Sequence, residues 1–188
     1  MVADASRIND FQYSVMVLKY VAEQLNIPSF NLLYGNKVEG VADEVLEETA
    51  MKNVDHAFQQ MIAGANRNIL IGQCNPIENT KYRLASPQDA VNTTKKYLER
   101  YGSGFGLMAD AYHWSMVQAD PLELLKQNID LIKHVQIADC PGRNEPGTGQ
   151  VDFQGIFDYL NQINYSGFIG LEYKPKADTR TGFAWINN

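Results

Sequence analysis

Several common classes are excluded by what this sequence lacks. Among 188 residues there are two cysteines, Cys74 and Cys140, and they form no C-x-x-C pair. That argues against a thiolate-rich zinc site and against a disulfide-dense secreted scaffold. Both are expected to be reduced thiols in a cytoplasmic protein. Sixteen Lys and Arg against twenty-two Asp and Glu leave a net charge of −6. The basic residues form no run, so the electrostatic footprint of a nucleic-acid binder is missing. No apolar run reaches the roughly 18 residues a membrane helix needs. The first ten residues are polar and lack the apolar core of a secretory signal. Neither nucleic acid nor membrane is expected as a partner. No Pro-, Gly- or Ser-rich linker interrupts the chain, so a single domain over 1–188 is expected.

What is present is an alternation of two periods. Apolar residues make up 45% of the chain, enough for a globular core. Phe11, Val15, Leu18, Ala22 and Leu25 recur at helical spacing, and Ser29 to Tyr34 reads as a short buried strand. Ala50, Val54, Ala57, Phe58 and Met61 mark one face of a helix over 43–63, followed by a strand from Asn68 to Cys74. Ser86-Pro87 opens a helix to about Tyr101, with Ser as N-cap and Pro at the first helical position. A strand over Gly104 to Asp110 follows, then a helix opened in the same way by Asp120-Pro121, then a strand over Ile132 to Asp139. Phe153, Ile156, Phe157 and Leu160 mark the next helix, and Gly167 to Tyr173 the last strand. Strands alternating with helices predict parallel pairing through crossovers.

Five parallel strands fit either an open doubly wound sheet or part of a (β/α)8 barrel. A doubly wound nucleotide site would carry a Gly-rich phosphate loop after an early strand. Tyr34-Gly35-Asn36 stands there instead. Polar groups gather at the C-terminal ends of four strands: Gln73 and Asn75, Asp110, Gln136 and Asp139, and Glu172. Barrels carry their chemistry at that end.

Each candidate has a functional and a bland reading. Alternation puts Phe168, Gly170 and Glu172 on one face. A carboxylate among apolar strand residues must be paired, protonated or metal-bound; the bland reading is an ion pair with Lys174 or Arg143. Asp110 opens Asp110-Ala111-Tyr112-His113, a spacing that suits a hard or borderline cation, or simply a capped turn with His113 on the surface. Gln136 shares a face with His134 and Ala138; its carbonyl oxygen can ligate a cation, or hydrogen-bond within the core. In the polar loop from Cys140 to Gly149, Arg143 can clamp a carboxylate in bidentate fashion. Glu145 can hold the loop or accept a substrate hydroxyl.

Two stretches, His134-Val-Gln-Ile-Ala-Asp-Cys-Pro-Gly-Arg-Asn-Glu-Pro-Gly-Thr-Gly and Gly167-Phe-Ile-Gly-Leu-Glu-Tyr-Lys-Pro, resemble the last third of hydroxypyruvate isomerases. Asp110-Ala-Tyr-His followed by Asp120 fits their sixth strand and loop. The resemblance runs from about Arg7 to Trp185 and is most specific over 134–175. It implies an α/β fold, a partial (β/α)8 TIM barrel of about five βα units corresponding to strands four to eight, within the xylose isomerase-like superfamily. It implies a divalent metal, Mg²⁺ or Mn²⁺, held by Asp110, Gln136 and Glu172, with Glu172 also serving as an acid/base carboxylate. His113, Arg143 and Glu145 match substrate-binding positions. The implied substrate is a small hydroxy or keto acid, or a sugar. The implied reaction is interconversion of hydroxypyruvate and tartronate semialdehyde through an enediolate.

Two departures from that pattern stand out. The family's fifth strand carries hydrophobic-hydrophobic-Glu-Pro-x-Asn, whereas Ile69-Leu70-Ile71-Gly72-Gln73-Cys74-Asn75 has Gly72 at the Glu position. Gln73 is adjacent, but a one-residue shift points to the other face. One ligand and one base are therefore expected to be lost. The family also has about three more strands ahead of the helix at 11–25. Their absence predicts open edges at Phe30–Tyr34 and Phe168–Tyr173, to be covered by a longer chain or by another copy in a homo-oligomer. The alternative to an isomerase is a non-catalytic remnant that binds a sugar acid.

Overall fold

A computed structural model gives the structure, which describes residues 2–187. The elements in chain order are α1 (Ile8–Leu25), β1 (Ser29–Asn31), α2 (Asp43–Met61), β2 (Asn68–Gly72), α3 (Pro87–Tyr101), β3 (Phe105–Asp110), α4 (Ala111–Met116), α5 (Pro121–Asn128), β4 (Ile132–Ile137), α6 (Phe153–Gln162) and β5 (Ile169–Leu171). The strands follow one another in sequence order, β1-β2-β3-β4-β5. The chain divides within β3 into two compact units, Met1–Leu107 and Met108–Asn188.

In the first unit β1 pairs with β2 in parallel, Phe30 opposite Ile69. Ile69, Leu70 and Ile71 are buried in succession, because a parallel strand is covered on both faces. Helix α2 buries Ala50, Val54, Ala57 and Met61 along the expected stripe. Its Phe58 ring stacks on Tyr101 and Phe105. Helix α1 buries Phe11, Val15 and Ala22, but Leu25, expected on the same face, is 70% exposed. Asn26 ends α1 in the left-handed conformation, a common helix stop. At the start of α3, Ser86 and Asp89 form a reciprocal capping box ahead of Pro87, which satisfies two amides that the first turn leaves without partners.

The second unit pairs β4 with β5 in parallel, Gln136 opposite Gly170. Asp120 caps α5 and Asp152 caps α6 through their side chains. Helix α4 was not expected. Its six residues are too few to display a period, and it forms because the Asp110 carboxylate caps it and Ala111 to Trp114 are buried.

Strands β1 and β5 are shorter than their apolar runs predict. After Asn31 only the Leu32 N–H still donates to β2, at Leu70 O; Leu33 is exposed, and the Tyr34 N–H donates to the Tyr82 hydroxyl. β5 stops at Leu171, although the Glu172 N–H still donates to Ile137 O. Among the described residues, no helix is long and apolar enough to cross a membrane.

Candidate functional site

The second unit holds all six residues proposed from sequence for metal or substrate. Asp110 ends β3 and is buried; one of its oxygens accepts the His113 N–H at 3.0 Å. Burial pushes its carboxyl up to about 6, helped by the nearby charge of Glu172 and opposed by the His113 amide and the charge of Arg143. Glu172, Arg143 and Asp110 are thus close enough for their charges to act on one another.

Gln136 lies in β4. A Cβ placed on its register partner Gly170 would lie 2.9 Å from His134 Nε2 and 3.5 Å from Gln136 Cγ. His134, Gln136 and Gly170 therefore share one face, and Glu172, two residues beyond Gly170, continues it. Gln136 Oε1 is buried and finds no hydrogen-bond partner among the described residues. Burial lowers the pKa of His134, partly opposed by Glu172, so the imidazole at this face is neutral at pH 7.

Glu172 departs from the sequence expectation. It stands one residue past β5, and its side chain is 53% exposed rather than enclosed by apolar neighbours. Its partner is Arg143, with Nη2 2.9 Å from Oε2. The Arg143 guanidinium also lies over the Tyr112 ring, 5.1 Å from its centroid. His113 is buried, not a surface residue, with its ring tilted against Tyr112. Glu145 Oε2 accepts the Lys176 N–H at 3.0 Å, which ties the loop to the segment after β5.

The loop that presents Arg143 and Glu145 is built around Asp139, whose part sequence reasoning missed. Asp139 is fully buried. Its Oδ2 accepts the N–H groups of Gly147, Thr148 and Gly149, and its Oδ1 those of Cys140 and Val151. Gly149 must be glycine, because a Cβ there would overlap Cys140 O. Asn144 and Lys174 then tie the loop to the segment after β5: Asn144 Nδ2 donates to Lys174 O, and Lys174 N to Arg143 O. A polar strand-end Asp followed by a Gly-rich loop was the one signal in the sequence.

Residues 20–188 match the family described as xylose isomerase-like TIM barrel. The chain belongs to that family. Within it, an Escherichia coli relative named hydroxypyruvate isomerase is 28% identical over 96% of this chain and 69% of its own length. A Haemophilus influenzae relative named 2-oxo-tetronate isomerase is 30% identical over 91% of this chain and 64% of its own. A Streptomyces coelicolor relative is 33% identical over 94% of this chain and 63% of its own. This xylose isomerase-like chain thus spans between about half and two-thirds of the length of the curated relatives it matches. Among solved structures, an AP endonuclease of family 2 from Brucella melitensis is 26% identical, with a TM-score of 0.88 over all of this chain and 70% of its own. A 3-keto-D-glucoside 4-epimerase from E. coli, 20% identical with a TM-score of 0.78, shares the fold.

Among the described residues, no three His, Cys, Asp or Glu side chains gather into a metal cluster on their own. The candidate set differs in kind: two carboxylates and one amide. An amide oxygen buried without a donor is what such a set offers a hard cation, and the orphaned Gln136 Oε1 fits that requirement.

Proposed function

We propose that this chain carries the site of a metal-assisted aldose–ketose isomerase acting on a small hydroxy or keto acid, in the manner of hydroxypyruvate and tartronate semialdehyde interconversion. The observation that carries the reading is Gln136 Oε1, buried and without a partner, on the face that Glu172 continues. Leaving such an atom unsatisfied costs about 1–3 kcal/mol, and a cation bound there removes the cost. Asp110, Gln136 and Glu172 would hold Mg²⁺ or Mn²⁺, hard ions that take oxygen donors. When bound, the ion supplies Lewis-acid stabilisation of the enediolate charge.

The chain's own groups supply the remainder. Glu172, whose carboxylate is exposed, would take a proton from the carbon next to the substrate carbonyl and return it to the neighbouring carbon. Arg143, a planar fork held on Tyr112, is suited to the substrate carboxylate. Asp139 holds the Arg143 loop through backbone amides. Names of relatives support isomerase chemistry over endonuclease chemistry, and the acidic balance without a basic patch points the same way.

A second reading, a sugar-acid binder with little or no turnover, is favoured by one observation. Gly72 ends β2 where the family pattern carries a Glu. Loss of a positioned base typically costs about 10²–10⁴ in rate. The test has two parts. Mn²⁺ should raise the melting temperature of the wild type, reversed by EDTA, and this rise should vanish in Gln136→Leu. Hydroxypyruvate turnover with Mn²⁺ should then be slow in the wild type and faster in Gly72→Glu. No Mn²⁺-dependent shift in the wild type would sink the metal-assisted isomerase and favour the second reading; a shift without turnover in either protein would leave a metal-binding site without catalysis.

A further inference from the structure

Arg143 and Glu172 are each claimed twice. Under the function proposed above, on which this inference rests, Glu172 serves the cation and Arg143 serves the substrate carboxylate. In the structure they serve each other: Nη2 to Oε2 at 2.9 Å, and Arg143 Nε to Glu172 O at 3.4 Å. The base of the arginine is fixed. Its backbone is in the left-handed region at φ 56°, its N–H donates to Asp139 O, and its carbonyl accepts the Lys174 N–H. Its head is fixed too, lying on the ring of the buried Tyr112. A guanidinium held at both ends stays beside Glu172, and only the carboxylate at its open edge is exchangeable. The two side chains are 23% and 53% exposed. A pair so wetted is weakly held, so a better partner for either member can replace it.

We propose that Arg143 is a positioning residue that holds Glu172 in the metal-free site and exchanges it for the carboxylate of an acid ligand when a divalent cation takes Glu172. The exchange makes the two ligands cooperative. A cation that binds Glu172 uncovers the guanidinium. An acid that binds the guanidinium releases Glu172 to the cation. Because coupling is a property of the equilibrium, each ligand tightens the other by the same factor. The site then favours acids over neutral sugars only once it is metal-loaded, and the unloaded site keeps neither charge bare.

The test is Mn²⁺ titration of the full chain by calorimetry, with and without saturating propionate. Propionate has a carboxylate but no adjacent oxygen with which to chelate the ion. In the wild type, propionate should tighten Mn²⁺ binding by roughly 5–10-fold, at the low end of ordinary coupling. Arg143→Ala should bind Mn²⁺ alone more tightly than the wild type and should lose the propionate effect. In a Glu172→Gln background, where the competition is gone, Arg143→Ala should leave the weakened Mn²⁺ affinity unchanged. Arg143→Lys, which keeps the charge but not the fork, should retain the competition for Glu172 and blunt the propionate effect. Circular dichroism of each variant checks that it is folded. Equal tightening by Arg143→Ala in both backgrounds would reduce Arg143 to a through-space charge and overturn the exchange. Mn²⁺ binding that ignores propionate in the wild type would also overturn it while leaving the metal site standing. No Mn²⁺ binding at all would remove the metal site and the exchange together.

Discussion

At the scale of single residues, Asp110 and Asp139 show opposite ways to bury a carboxylate. Asp110 accepts the His113 N–H, and its carboxyl is pushed up to about 6, chiefly by burial. A folded-state pKa above the unfolded value, about 3.9, means the folded state holds its proton more tightly. The resulting contribution to the metal-free protein is fully present below about pH 4 and is lost as pH rises through about 6. Asp110→Asn keeps the cap on α4 but carries no charge. In EDTA at pH 7.5 it should therefore melt higher than the wild type, by up to about 3 kcal/mol of stability, with the gap closing towards pH 4. Parallel melting curves across that range would show that Asp110 is ionised at no cost. The same variant should lose the Mn²⁺ shift. Asp139, by contrast, has five backbone amides on its two oxygens. Asp139→Asn replaces one acceptor oxygen with a donor facing amides, and should cost about 2–4 kcal/mol in chemical denaturation. Limited proteolysis should then cut first between 140 and 151; a loop as resistant as the wild type's would mean that other contacts hold it.

At the scale of elements, the start of β3 gives a paired experiment. Gly102 and Gly104 have nearly the same positive φ, 77° and 79°, yet a Cβ on Gly102 meets open space and one on Gly104 overlaps Ile62 Cγ2. Gly102→Ala should cost about 1–2 kcal/mol for the left-handed backbone alone. Gly104→Ala should cost about 1–3 kcal/mol more for overpacking, and Ile62→Ala in that background should recover part of it. Equal costs by urea denaturation would mean that Ile62 moves aside freely. Such local chemistry is the part of the fold that the sequence makes legible. Ser86-Pro87 and Asp120-Pro121 announce α3 and α5 because a cap and a proline act on their own neighbours. Helix α4 and the early ends of β1 and β5 were not legible, since they depend on residues distant in the chain, such as Tyr82 receiving the Tyr34 N–H. The site divides in the same way. Alternation and motif single out Asp110, Gln136 and Glu172 as candidates, but the role of Asp139 lies in backbone amides, which carry no side-chain signature, and the exposure of Glu172 depends on what surrounds β5.

At the scale of the whole molecule, β1 in the first unit and β5 in the second each leave apolar side chains in water. Beside β1, Phe11, Val15, Leu18, Phe30, Leu32 and Leu33 line a groove, and Leu33 is 55% exposed. At β5, Phe168 is 68% exposed, with Ile169 and Leu171 partly so. Unpaired strand edges with apolar neighbours are templates for association. A net charge of −6 on every copy opposes it. The balance depends on salt, because a Debye length of roughly 10 Å at 0.1 M falls to about 3 Å at 1 M while the apolar contribution does not weaken. Sedimentation velocity across a dilution series should therefore show association that rises with protein concentration and strengthens on adding NaCl. Leu33→Lys and Phe168→Lys should each weaken it, and together abolish it. Association that weakens with salt would identify ion pairs as the contact, and a monomer at every concentration in both salts would mean that neither edge recruits another copy.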